Sequence, residues 1–334
     1  MSEFDLIRQH FTRATQHTHL GIGDDAALIK PSANMQLAIS VDMLVAGTHF
    51  FADAAPYQLG WKALAVNLSD MAAMGANPKW ATLAIALPAV NQPWLTEFSR
   101  GFFACADAFQ VDLIGGDTTR GPLTISIQII GEVPIGQAIE RSGAQLDDEI
   151  WLSGHLGDAA LALAHIQGHL TLTSEAFASC AQALHAPQPR VNLGLALVGL
   201  ANSAIDISDG LLADLGHILQ RSKLGASIYL ANIPQSTHVK AALVAAQQKV
   251  RQGAASANHG DDQKILSMLL AGGDDYELCF TATAENHNKI MQLSQSLKLP
   301  LTCIGHITQG TRLAVHGLND ELLDFKEAGF DHFK

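Results

Sequence analysis

Apolar side chains recur at helical spacing over residues 4–11, where Phe4, Ile7 and Phe11 share a stripe, and over 94–109, through Trp94, Phe98, Phe102, Cys105 and Phe109. Both stretches predict amphipathic helices. The run LGWKALAVNLSDMAAMGANP at 59–78 predicts a third, with Trp61, Leu64, Leu68 and Met71 buried, Asn67 and Asp70 on a different side, and Gly75 and Pro78 ending it. Segments 37–41, 81–88, 111–115 and 123–133 are apolar or alternating and stop at Gly, Pro or Asp, as strands do. Between Pro134 and Gly154 Pro and Gly punctuate a polar run, and a new apolar strand starts at Ile150. A domain boundary is therefore expected there, giving units 1–138 and 139–334. The second half predicts helices near 157–168, 191–201 and 210–221, strands near 226–230, 277–282 and 301–307, and a surface loop over the small, polar residues 251–263. The fold class is α+β in two domains.

With 334 residues, 48% of them apolar and 16% charged, the chain is long enough for two cores, a single large barrel being the exception. No stretch approaches the ~18 uncharged apolar residues of a membrane span, and MSEFDLIRQHF lacks the form of a signal peptide. A cytoplasmic protein is expected. The four cysteines are far apart, with no C-x-x-C, which disfavours a zinc knuckle or a disulfide framework. A formal charge of −12 without a basic cluster argues against nucleic acid or anionic lipid as partner and favours small ligands.

The chemistry is concentrated in acidic loops, most of which follow an apolar run directly or sit among glycines: GIGDD at 21–25, SVD at 40–42, NLSD at 67–70, GGD at 115–117, DISDG at 206–210 and GGDD at 272–275. Any one of them is an ordinary turn or helix cap, and Asp209 just before the 210–221 helix would make a good N-cap. Their recurrence favours a shared cation site. Carboxylates without His or Cys partners suit Mg²⁺, Mn²⁺ or Ca²⁺ rather than zinc. Because Mg²⁺ takes one or two carboxylates and completes its shell with water and phosphate oxygens, many aspartates imply several ions around a polyphosphate. Such ions let an acidic protein hold an anionic nucleotide. No P-loop, kinase glycine loop or nucleophile elbow is present, leaving Arg120 and Arg141 as candidate phosphate partners.

In order along the chain, GIGDDAAL, SVDMLVAGTHF, KALAVNLSDMAAMGA, LIGGDTTRGP, RSGA, AIDISDGLLADLGHI and GGDDYELCF resemble the thiamine-monophosphate kinases. That family belongs to the superfamily that holds aminoimidazole ribonucleotide synthetase and selenophosphate synthetase. The resemblance covers nearly the whole chain. It implies a homodimer whose N-terminal sheets pair into a barrel, a C-terminal α/β-type sandwich, an ATP site in the cleft between domains, and Mg²⁺-dependent transfer of the γ-phosphoryl group onto thiamine monophosphate. Carried over position by position, metal ligands fall on Asp25, Ser40, Val41, Asp42, Asp70, Asp117, Asp206 and Asp209. Asp25, Asp42, Asp117 and Asp209 would serve catalysis. Nucleotide contacts fall on Asp25, Gly116, Asp117, Arg141 and Ser208, and thiamine contacts on His49, Asp274 and Phe330. The chain departs from the usual pattern at Val41 for Thr, Asp274 for Glu and Phe330 for Tyr. Two other readings compete: an aminoimidazole ribonucleotide synthetase-like cyclo-ligase, and a non-catalytic nucleotide- or cation-binding module. Selenophosphate synthetase is disfavoured, because the first hundred residues hold no cysteine.

Overall fold

The computed structural model describes residues 3–251, 261–325 and 329–330. It divides into two compact units, Met1–Ala138 and Ile139–Lys334. The first contains α1 (Glu3–His10), β1 (Thr18–Leu20), β2 (Leu28–Ile29), β3 (Met35–Val45), α2 (Pro56–Ala73), β4 (Asn77–Leu87), α3 (Gln92–Phe109), β5 (Asp112–Arg120) and β6 (Thr124–Pro134). β1 and β2 form a separate hairpin, and the others build an open four-stranded sheet in the order β3-β6-β4-β5. β6 is an internal strand, antiparallel to both β3 and β4, while β4 and β5 run parallel through the α3 crossover. Alternation decides its faces: Ile125, Ile127 and Ile129 are each no more than 1% exposed. At about 1.5–3 kcal/mol for each such side chain, that row is a main reason the sheet is held against its helices. Next along the sheet, Leu37, Ile39, Val41 and Met43 on β3 alternate to the other side and remain exposed.

Several local expectations change. α2 ends at Ala73; the chain turns at Gly75 and β4 already begins at Asn77, so Pro78 belongs to a strand. α2 is buried on nearly every side because α3 and the sheet both pack on it, and Asn67 is buried with the core residues. Trp61 is only half-buried. α1 turns Leu6 and His10 inward and leaves Phe4 73% exposed. Two buried acids anchor the connections by collecting backbone N–H groups. Asp112 accepts from the Gln16 and His17 amides and the Thr18 hydroxyl, and Glu132 accepts from the amide and hydroxyl of Ser32.

The second unit contains β7 (Glu149–Ser153), α4 (Asp158–Ile166), α5 (Ser174–His185), α6 (Val191–Leu197), β8 (Ser203–Asp206), α7 (Leu211–Ser222), β9 (Gly225–Tyr229), α8 (Thr237–Arg251), α9 (Asp261–Ala271), β10 (Leu278–Ala282), α10 (His287–Leu297), β11 (Leu301–Thr308), β12 (Leu313–His316) and β13 (Leu322–Leu323). Its sheet runs β13-β12-β9-β11-β7-β10-β8, antiparallel throughout except for the β9–β12 pair. The period-two pattern sends Ile150 and Leu152 of β7 into an aliphatic core with Leu211, Leu215 and Ile218 of α7. Trp151, one step out of phase, stacks near-parallel on Phe280, its register partner on β10, with ring centroids 6.3 Å apart. α6 stops at Leu197 rather than near 201. Of the expected loop at 251–263, residues 252–260 lie outside the described residues, Arg251 ends α8 and 261–263 open α9.

Candidate active site

In the first unit Ser40 and Asp42 lie two apart on β3 and so share a face. The Ser40 hydroxyl donates to an Asp70 carboxylate oxygen, and the Asp42 amide donates to Asn67 Oδ1 at 3.2 Å. Asn67 and Asp70, three residues apart on α2, therefore meet the strand instead of pointing away from the core. That overturns the expectation drawn from helical spacing. Its cause is that α2 has a neighbour on each side, so its polar residues must find buried partners. Val41 points the other way, so only its backbone carbonyl offers a hard donor. His49 is fixed by its own turn: Nδ1 accepts the Val45 amide at 3.0 Å, leaving the neutral ring its proton on Nε2.

The GGD residues lie inside β5, as SVD lies inside β3 and NLSD inside α2, so these three acidic segments are not the loops expected. Gly116 has φ +150°, and a Cβ there would fall 1.8 Å from the Leu83 carbonyl oxygen, so no larger residue fits beside β4. Asp42 pairs with Ile127, Ile127 with Leu83 and Leu83 with Gly116, which puts Asp42 and Asp117 at nearly one level of the sheet. Three strand spacings, about 14 Å along the sheet, separate them. Asp117 and Asp25 are exposed, and Asp25 sits in the β1–β2 hairpin, its amide bonded to Asp24 Oδ1 at 3.1 Å. Arg120 is exposed at the end of β5.

In the second unit the loop 206–210 is a tight assembly. Asp206 is buried at the end of β8. Gly210 is the N-cap of α7 and no side chain caps it, so Asp209 does not do so. Instead a residue inside the helix reaches back: Asp214 Oδ2 accepts the amides of Ser208, Asp209 and Gly210 at 3.0, 3.1 and 3.0 Å. Burial first, then the charges of Asp206 and Asp209, push the Asp214 carboxyl up to about 7, against the opposing pull of those amides. With its amides turned inward, the loop presents carbonyls outward. Ser208 O accepts the Asp274 amide at 2.9 Å, Ile207 O the Tyr276 amide at 2.8 Å, and Asp209 O the Phe330 amide at 3.1 Å. The DISDG and GGDD loops and Phe330, remote in sequence, are thus brought together. Gly273 allows the approach, since a Cβ there would lie 2.2 Å from Ser208 O. The Tyr276 hydroxyl donates to Asp274 Oδ1 at 3.1 Å, and Phe330 is 54% exposed.

Next to Asp274, the Asp275 carboxylate is buried: Oδ1 accepts the Gly157 amide at 3.0 Å and Oδ2 has no hydrogen-bond partner among the described residues. Burial raises its pKa well above the ordinary value, the Gly157 amide opposing. Arg141 is exposed, and its carbonyl accepts the Ser222 hydroxyl at 3.2 Å. Sequence reasoning missed Asp214. Its signal was a carboxylate on the apolar stripe of Leu211, Leu215 and Ile218.

Among the described residues no three His, Cys, Asp or Glu side chains form a metal-holding cluster. The donor set still suits Mg²⁺. It is all oxygen, and an ion that takes one or two carboxylates and fills its shell with phosphate and water needs no protein cage.

Two domain families match the chain: AIR synthase related protein, N-terminal domain, over residues 23–133, and AIR synthase related protein, C-terminal domain, over 145–317. The thiamine-monophosphate kinase of Salmonella typhimurium is 42% identical over 339 residues, covering 99% of this chain and 98% of its own. This chain belongs to the thiamine-monophosphate kinase family. The crystal structure of a family member from Stenotrophomonas maltophilia K279a, 45% identical, aligns with a TM-score of 0.81 over 93% of this chain and 94% of that one. A structure described as AaThiL complexed with AMPPCP and TMP, 27% identical, aligns at 0.75 over 99% and 96%.

Proposed function

We propose that this chain transfers the γ-phosphoryl group of ATP onto the phosphate of thiamine monophosphate, giving thiamine diphosphate and ADP. The observation that carries this reading is whole-length similarity to a family member bound to both AMPPCP, an ATP analogue, and TMP. The chemistry asks for little from side chains. The acceptor phosphate is ionised near neutral pH, so alignment and charge neutralisation replace a general base. Bound Mg²⁺ would supply the neutralising charge on the phosphates.

Asp25, Asp42, Asp70, Asp117 and Asp209, with Asp206, the Ser40 hydroxyl and the Val41 carbonyl, are the oxygen donors assigned to those ions. The pairing of Ser40 with Asp70 supports treating them as one donor group. Gly116 lets a phosphate chain come close to backbone, and Arg141 and Ser208 are the other nucleotide contacts. His49, Asp274 and the Phe330 ring are assigned to thiamine; an exposed aromatic face suits a pyrimidine or a thiazolium cation. The joining of Asp274 and Phe330 to the 208–210 backbone supports nucleotide and thiamine contacts acting as one unit.

The reading includes a homodimer in which first-unit sheets pair. Supporting it is the row Leu37, Ile39, Val41 and Met43, each at least 36% exposed on an edge strand, an apolar surface that a lone sheet would leave wet. The reading also includes a cytoplasmic location, where both substrates are soluble metabolites.

The deciding assay supplies purified protein with ATP, Mg²⁺ and thiamine monophosphate and follows thiamine diphosphate. Turnover only with the purine precursor of the cyclo-ligase would establish the alternative enzyme. ATP binding with no product would leave a binding module. Asp117→Asn should reduce phosphoryl transfer by orders of magnitude while the protein stays folded, and chelation of the metal should abolish it.

A further inference from the structure

We infer that Asp214 is a positioning residue for the phosphoryl-transfer site, its one carboxylate oxygen setting the backbone of residues 208–210 and, through that backbone, the nucleotide and thiamine contacts together. The inference rests on the kinase reading for the roles of Ser208, Asp209, Asp274 and Phe330; the geometry itself does not depend on it.

A helix N-cap ordinarily accepts amides that follow it in sequence. Asp214 does the reverse, accepting the three amides that precede the helix. Three donors on one oxygen leave the loop no freedom to rotate its peptide planes, and the opposite sides of those planes face outward. Ser208 O then holds the Asp274 amide and Asp209 O the Phe330 amide. Two links therefore run from Asp214: one to the side chains of Ser208 and Asp209, and one across to the thiamine contacts. Asp214 is only 2% exposed, so it reaches ligands through the loop alone. A carboxylate is an expensive group to bury beside Asp206 and Asp209, and a leucine would complete the stripe of Leu211, Leu215 and Ile218 more simply. Holding the loop gives the carboxylate a role that a leucine could not fill.

The test uses the full chain with Asp214→Leu, Asp214→Glu and Asp214→Asn. Glu keeps the charge but pushes the acceptor outward by one methylene, whereas Asn keeps an acceptor oxygen at the same reach. Amide hydrogen exchange without ligands should quicken at least about tenfold at 208–210 in the Leu variant and extend to Asp274 and Phe330. Activity, with catalytic efficiency for ATP and for thiamine monophosphate falling together, should drop about 100-fold in Leu and Glu, the scale of a 1 Å misplacement. Asn should stay within about tenfold of the parent. If the Leu variant does not fold, the Glu variant decides. A folded Leu or Glu protein with parental exchange at these amides and unchanged efficiencies overturns the inference. So does a loss that only tracks the unfolded fraction. If the parent itself fails to phosphorylate thiamine monophosphate, the kinase reading falls, while the exchange pattern still judges the linkage.

Discussion

The ion pair beneath the GGDD loop gives the sharpest stability prediction. Arg190 Nε donates to Glu277 Oε2 at 2.7 Å and its Nη2 donates to Oε1, a bidentate fork. The Ser153 hydroxyl also donates to Oε2 and accepts the Leu278 amide at 2.9 Å, so the network ties β7 to the start of β10. Burial alone would lower the Arg190 pKa, but the hydrogen bonds and charge of Glu277 outweigh it and raise it. Glu277's side chain is 7% exposed and Arg190's 26%. Arg190→Met keeps the bulk and strands the carboxylate. Removing one partner of a buried pair costs about 3–5 kcal/mol, and the quarter of Arg190 that meets water places this case near 3. At about 2–4 °C per kcal/mol for a unit of this size, the melting transition of the second unit should fall by about 6–12 °C. Scanning calorimetry, checked by urea unfolding, reads the shift. Adding Glu277→Gln removes the stranded charge and should recover more than half of it. A single Arg190→Met variant melting within about 1 °C of the parent would refute the assignment of a stabilising role.

Gly116→Ala places a Cβ against the Leu83 carbonyl and should lower kcat/KM by about 100-fold with the circular dichroism unchanged; near-parental turnover would show that the strand can shift to admit it. Asp275 has a raised folded pKa, so its protonated form carries stability that is present below the unfolded value near 4 and is lost as pH climbs through the folded one. Asp275→Asn, which keeps an acceptor for Gly157, should therefore melt above the parent at pH 8 and converge with it toward pH 4; equal melting at both ends contradicts this. The thiols should resist Ellman's reagent in the native protein at pH 8 and all react in guanidinium, because burial raises every one, Cys180 to about 12 with help from Asp158. Rapid native labelling of Cys105 or Cys279 would contradict their burial. Ile39→Glu on the exposed row should convert a dimer to monomers in analytical ultracentrifugation, and an unaltered dimer would move the interface elsewhere.

Much of this was legible from periodicity and turn chemistry. β4, β6, β7 and β11 have apolar or alternating runs closed by Gly, Pro or Asp, and composition marked the acidic segments, although SVD, NLSD and GGD lie inside β3, α2 and β5 and not in loops. α5 and α8 went unread because mixed alanine and polar residues blur their stripes, α9 and α10 were passed over although α10 carries Ile290, Leu293 and Leu297 at helical spacing, and the four residues of β8 are too few to show a period. The burial of Asn67 needed knowledge of both neighbours of α2. Arg190 and Glu277 are 87 positions apart, and no local pattern pairs them. Asp214 was visible only as a charge out of place on an apolar stripe. The 208–210 loop illustrates the limit: composition marked it as a site, but which peptide faces point outward depends on a residue beyond it.

The place of β7 in its sheet also governs how the chain can be born. Both of its neighbours, β10 and β11, come from residues 278–308, more than a hundred positions later. On the ribosome the first unit has all its strands by residue 134, so it can collapse early. Trp151 and its flanking isoleucine and leucine must wait until nearly the whole polypeptide has emerged. That interval, with aliphatic strand edges uncovered, is where chaperones would be needed and where a slowed or truncated translation product would aggregate.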